Sequence, residues 1–145
     1  MRITVLLAAF LALGACEGPK EIHVSSAWVR LPTAPGRPAA AYFTLHGGAT
    51  DATLISVSSE VAIKAEIHET GRSGNMSSMK PIGQLPLPAG SDLVFAPGGK
   101  HVMLFDVNPR IKPSALAPLL FTFADGRRVV YKATVIGAGD APPGS

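Results

Sequence analysis

From Ile22 onward the apolar pattern of this chain never holds a helical period for more than about two turns before proline or glycine resets it. With 15 Gly and 13 Pro among 145 residues, helices of ordinary length have nowhere to run. What survives is alternation at period two. Ala41, Phe43 and Leu45 alternate with Tyr42, Thr44 and His46, and Val129, Tyr131, Ala133 and Val135 alternate with Val130, Lys132, Thr134 and Ile136. Each stretch reads as a strand with one face on a core. Residues 22–30, 53–58, 64–70, 79–82, 92–96, 101–107 and 119–123 are further strands. Gly47-Gly48, residues 71–75, Pro88-Ala89-Gly90, Pro97-Gly98-Gly99 and Asp125-Gly126 read as the turns between them. Pro109, Pro113 and Pro118 make residues 108–118 a long connection with few ladder donors, suited to a crossover between sheets. The expected fold class is all-β, a sandwich or barrel of about eight or nine short strands, without internal repeats.

Size and charge narrow the function. The chain has room for one domain, and 47% apolar against 16% charged residues suffices for a core. A net charge of +3, with no basic run longer than Arg127-Arg128, offers nucleic acid no footprint. A single cysteine excludes an internal disulfide, a Cys-x-x-Cys redox centre, a cysteine-rich zinc site and a blue-copper site, which needs a thiolate. No Gly-x-Ser-x-Gly elbow, phosphate-cradling glycine loop or paired-carboxylate context is present, so the chain does not read as an enzyme.

The N-terminus reads as an export signal. Met1-Arg2 precedes the apolar run Ile3–Leu13, which is too short to cross about 30 Å of hydrocarbon as a helix. Leu13-Gly14-Ala15-Cys16 resembles the bacterial lipobox, which implies that Cys16 becomes the lipidated first residue of the mature protein. An ordinary secretory signal that leaves Cys16 as a free thiol is the alternative. The expected layout is a signal peptide over 1–15, a tether over 16–21, one domain over 22–137 and a disordered tail over 138–145. The expected location is periplasmic and membrane-anchored, with Glu17 favouring the outer membrane by resemblance to lipoprotein sorting patterns.

The remaining chemistry lies in histidine and methionine. In a strand, residues two apart share a face, so His101 and Met103 can offer an imidazole nitrogen and a thioether sulfur to one ion. On the earlier strand His68 shares the polar face with Glu66 and Thr70, opposite Ala65 and Ile67, and is expected to be displayed. Met79 follows the Gly74-Asn75 turn and can return toward it. Thioethers hold Zn²⁺, Mg²⁺ or Ca²⁺ poorly but suit Cu(I), with imidazole acceptable beside them. Such a site needs no thiol and stays competent in an oxidising compartment.

His68, ten residues, Met79, twenty-one residues, then His101-Val102-Met103 matches the H-x10-M-x21-H-x-M motif, and the flanking Ala27-Trp28-Val29-Arg30, Ile67-His68-Glu69-Thr70 and Pro97 to Leu104 agree in order. On these residues the chain resembles the periplasmic copper chaperones that supply the dinuclear copper centre of cytochrome c oxidase. The resemblance covers about residues 22–136. It implies a cupredoxin-like Greek-key barrel and one Cu(I) per chain on His68, Met79, His101 and Met103. It further implies a monomer that hands copper to an accepting protein, such as cytochrome c oxidase subunit II or a thiol-containing assembly factor. A role in copper storage or tolerance, or a metal-free structural lipoprotein, would leave the same residues in place.

Taken singly, each residue has a plainer role: Met103 as core filling, His68 as a surface strand histidine, His101 as a turn-end polar residue. Trp28 reads as core, with shielding of a metal as the alternative. His23 and His46 read as exposed polar residues, Glu69 as turned away from His68, and Met76 as outside the ligand set.

Overall fold

The computed structural model describes residues 20–145, so the expected signal peptide, Cys16 and most of the tether lie outside the described residues. Ten strands follow in order: β1 (His23–Arg30), β2 (Ala39–His46), β3 (Ala52–Ser59), β4 (Ala62–Ser73), β5 (Met76–Pro81), β6 (Leu85–Leu87), β7 (Asp92–Phe95), β8 (Lys100–Val107), β9 (Leu116–Phe123) and β10 (Arg128–Ile136). Among the described residues there is no helix. The strands bond in the order β5-β4-β8-β2-β1-β10-β9-β3-β6. β8 pairs with Ala39–Ala41 of β2, whereas β7 takes Phe43–His46. β1 joins β10 in parallel and every other pair is antiparallel.

The sheet folds over on itself because its alternating apolar faces need each other. Phe43 of β2 packs edge-on against Phe121 of β9, ring centres 4.8 Å apart, and stacks on Phe95 of β7 at 4.3 Å. Leu45, Leu54, Leu87, Val102, Leu104, Leu119, Phe123 and Val135 fill the same interior. Burying each of these side chains contributes about 1.5–3 kcal/mol. The architecture is thus the expected all-β, cupredoxin-like one, with ten strands instead of eight or nine.

The extra strand and the shifted boundaries occur at prolines. β6 is Leu85-Pro86-Leu87, an edge strand whose two leucines are buried, and an edge tolerates the missing donor of Pro86. β9 begins at Leu116, inside the stretch expected to be a connection, and pairs Pro118 with Lys132. The Ser59 hydroxyl donates to the Pro118 carbonyl at 2.6 Å, on the side where the β3 ladder ends at Ser59 and Leu119. Pro118 therefore leaves no ladder bond unmade. At the C-terminus, the Arg30 guanidinium donates to the carbonyls of Ala138 at 2.9 Å and Asp140 at 2.8 Å. The first residues of the expected tail are tied to β1.

One irregularity in β1 sets the direction of Trp28. Ser26 has φ 53°, and the β1–β2 register shifts between Ser25 and Trp28. This bulge reverses the alternation: Val24 faces the core, but so do Ala27 and Val29, which turns Trp28 outward.

Candidate metal centre

β4, β8, β2 and β1 lie side by side, and their outer faces carry the candidate residues. Val102 and Leu104 point into the core, so His101, Met103 and Phe105 take the opposite face of β8. Met103 is accordingly a half-buried residue of the outer face and not core filling. His68 is directly opposite His101, and Glu66 directly opposite Met103. Residues opposed across an antiparallel pair share a face, so the four side chains form a block on one surface. The next strand adds Met79, opposite Thr70, on the same face but one residue pair beyond the histidines. Met79 is 59% exposed, and all of β5 is exposed. His68, His101 and Met103 are thus adjacent neighbours, whereas Met79 stands on the rim. Met76 is three residues from Met79 in the same strand and points to the other face.

The histidines are covered, not displayed. The His68 side chain is 13% exposed and His101 is 4% exposed, the one buried polar residue of the described chain. Their ring centres are 6.0 Å apart. His68 Nε2–H donates to Glu66 Oε2 at 2.9 Å, and His101 Nδ1–H donates to the Gly99 carbonyl at 3.1 Å. In the neutral ring each bond places the lone pair on the other nitrogen. Those nitrogens, His68 Nδ1 and His101 Nε2, are buried and have no hydrogen-bond partner. A buried polar atom left unsatisfied costs roughly 1–3 kcal/mol, and two on opposed rings need an explanation. A shared acceptor of lone pairs supplies it. Among the described residues no three His, Cys, Asp or Glu side chains converge as a metal-binding group, so the nearby side-chain donors left to complete the pair are thioethers. Two imidazoles with thioethers form a soft, neutral set that fits a soft monovalent cation.

Glu66, which the sequence places on the His68 face without a role, bonds the His68 ring. Glu69 faces away from His68, as its alternation in the strand predicts, and pairs with Lys100 at 2.9 Å. The signal for the Glu66 bond was present, since Glu66 is two residues before His68 in the same strand. Its carboxyl is held below the usual carboxylate range, first by the hydrogen bond from Lys64 and then by that from His68.

An aromatic wall closes the side toward β1. Tyr42 lies 6.4 Å from His101, and Trp28 packs on Tyr42 at 4.4 Å with the Arg30 guanidinium over its indole. Trp28 is buried, yet it belongs to this outer layer and not to the core, because of the Ser26 bulge. Burial raises the Tyr42 pKa, partly offset by the Arg30 charge.

His23 and His46, expected to be simple exposed residues, form a second cluster. Their rings stack at 4.4 Å, and His46 bonds Ser25 Oγ and Asp92 Oδ1, both at 2.7 Å. The cluster knits β1, β2 and β7 together. Asp92 is 58% exposed, which makes this a surface tie. A cleft of about 800 Å³ lined by Leu31, Val61, Ile63, Val107 and Ile111 lies at the far end of β8 and includes none of the four candidate ligands.

Residues 22–135 match the family described as "Putative lipoprotein LpqE-like". This chain belongs to the LpqE-like family. The LpqE-like chain is 27% identical to the similarly described lipoprotein Lxx21020 of Leifsonia xyli subsp. xyli (strain CTCB07), over 87% of this chain and 83% of that protein. Among solved structures it is similar to the solution structure of Cu(I)-DR1885 from Deinococcus radiodurans, with 30% identity and a TM-score of 0.60, covering 75% of this chain and 74% of that one. The copper-bound PCuAC domain of PmoF2 matches at a TM-score of 0.65 with 21% identity, over 83% of this chain and 98% of that domain. At that identity the PmoF2 domain speaks for the LpqE-like fold alone.

Proposed function

We propose that this chain is an extracytoplasmic copper carrier that holds one Cu(I) on His68, Met79, His101 and Met103 and passes it on by ligand exchange. The observation that carries the reading is the pair of buried, unpartnered nitrogens on opposed histidines, with Met103 beside them and Met79 at the rim. The 30% identity to a protein solved in its Cu(I) form supports it. The donors are neutral, so a bound Cu(I) keeps its charge and can be drawn off by a thiolate or a further thioether. The exposed edge strand makes Met79 the arm that an acceptor displaces first.

In this reading residues 22–137 are the carrying domain. Lipid on Cys16 tethers it to a membrane on the outer side of the cytoplasmic barrier, and it works as a monomer. The acceptor is a copper protein, either cytochrome c oxidase subunit II or a thiol-containing assembly factor. The test is anaerobic Cu(I) titration against a chromophoric competitor, where one tight site per chain is expected and no competition would overturn the proposal. Loss of oxidase activity in a deletion strain grown in scarce copper would support the oxidase destination. Loss of copper tolerance with normal oxidase would replace that destination by storage.

A further inference from the structure

The two histidines do not offer the same nitrogen. His68 has Nε2 tied to Glu66 and Nδ1 free, whereas His101 has Nδ1 tied to the Gly99 carbonyl and Nε2 free. The difference follows from what lies next to each ring. Glu66 sits two residues before His68 on the same face of β4, and a carboxylate on that side reaches the distal nitrogen. Gly99 ends the turn before β8, two residues before His101, and its backbone carbonyl reaches the proximal nitrogen. The same Gly99 carbonyl accepts from Thr70 N–H at 3.1 Å, so it is fixed by the β4–β8 pairing and cannot follow a rotating ring.

We infer that Cu(I) is held through Nδ1 of His68 and Nε2 of His101, and that Glu66 is the positioning residue that selects the His68 nitrogen. The inference rests on the copper-carrier reading above and adds to it the ligating atoms and a fifth functional side chain. Without Glu66, the His68 ring can turn over about its Cβ–Cγ bond and present Nε2 instead, because nothing else in the structure bonds either of its nitrogens. The Gly99 carbonyl gives His101 no such freedom. Glu66 is itself steadied by an ion pair with Lys64, two residues before it in β4. A charged acceptor on the distal N–H also raises the basicity of the ligating nitrogen, and removing partners of this kind typically costs 10–100-fold in metal affinity.

The experiment is ring ¹⁵N NMR of the labelled protein, first metal-free and then with Cu(I), comparing the natural chain with Glu66→Gln and Glu66→Ala. In the metal-free natural chain, His68 is expected to carry a slowly exchanging proton on Nε2 and His101 one on Nδ1. On adding Cu(I), the nitrogen that shifts should be Nδ1 in His68 and Nε2 in His101. Glu66→Ala should release the His68 ring proton into fast exchange, mix or reverse the nitrogen that binds, and lower Cu(I) affinity by about 10–100-fold. Glu66→Gln keeps an acceptor oxygen and should retain Nδ1 ligation with a smaller loss. The His101 pattern should be unchanged in both.

Ligation of the natural chain through Nε2 of His68 overturns the inference, as does Nδ1 ligation at full affinity in Glu66→Ala. If Cu(I) moves no histidine signal, the carrier reading fails. The metal-free spectra still decide the role of Glu66, because a His68 proton found on Nδ1 refutes it.

Discussion

His68 stands directly across β4 and β8 from His101, ring centres 6.0 Å apart, and each ring has one nitrogen tied down and one free. If these nitrogens hold copper as proposed, protons compete with it for both, while the thioethers of Met79 and Met103 take no proton. If both histidines ligate, acidification should weaken Cu(I) binding with a slope approaching two protons per ion. A flat profile means that neither histidine ligates, and a one-proton slope removes one of them. His68→Ala and His101→Ala identify which.

Met103 faces outward beside His101, so in the proposed site its length serves the ion more than the core. Met103→Leu should cost under about 1.5 kcal/mol of folding stability while clearly weakening Cu(I). Denaturant unfolding of the metal-free protein and competitive titration measure the two effects separately. Full copper affinity in Met103→Leu would remove the residue from the site.

Tyr42 titrates above the ordinary tyrosine value because burial disfavours the phenolate, partly countered by Arg30. A group whose folded pKa is raised adds stability that is complete below its unfolded pKa, near 10, and is lost as pH rises through the folded value. Since Trp28 is the sole tryptophan and packs on Tyr42, its fluorescence reports the ionisation. Quenching should set in above pH 10 and be absent in Tyr42→Phe. Quenching in Tyr42→Phe at the same pH would assign it to another group.

Most of the fold was legible because β2 and β10 alternate cleanly, and because the spacing of His68, Met79, His101 and Met103 survives any uncertainty in strand ends. What was not legible has local causes. Pro86 and Pro118 look like breaks, yet one sits on an edge and the other spends its missing donor where the β3 ladder has ended. Trp28 reads as core by counting from Val24, and only the Ser26 bulge shifts the count. The tie from Glu66 to His68 follows strand periodicity, but which nitrogen each histidine leaves free depends on ring orientation, and no sequence pattern records that.

Gly47 is where the β2–β3 turn meets the turn at Pro88. A Cβ there would come within 2.5 Å of the Pro88 carbonyl oxygen, and Gly47 N–H donates to Ser91 O at 2.7 Å. Gly47→Ala should cost about 1–3 kcal/mol, because both partners are backbone and cannot swing aside. Chemical denaturation measures it, and an unchanged midpoint would mean that the two turns move apart freely. Copper affinity of the folded fraction should stay the same, since His101 lies beside Tyr42 in the middle of β2 and Gly47 follows the end of that strand.

In the proposed carrier, sulfur and imidazole nitrogen meet at one copper ion on this surface. X-ray absorption on the anaerobic Cu(I) form tests it most directly. The expected first shell contains both sulfur and nitrogen scatterers, with the sulfur contribution reduced when Met79 or Met103 is replaced by leucine. A shell of nitrogen or oxygen alone, unchanged by those replacements, would contradict it.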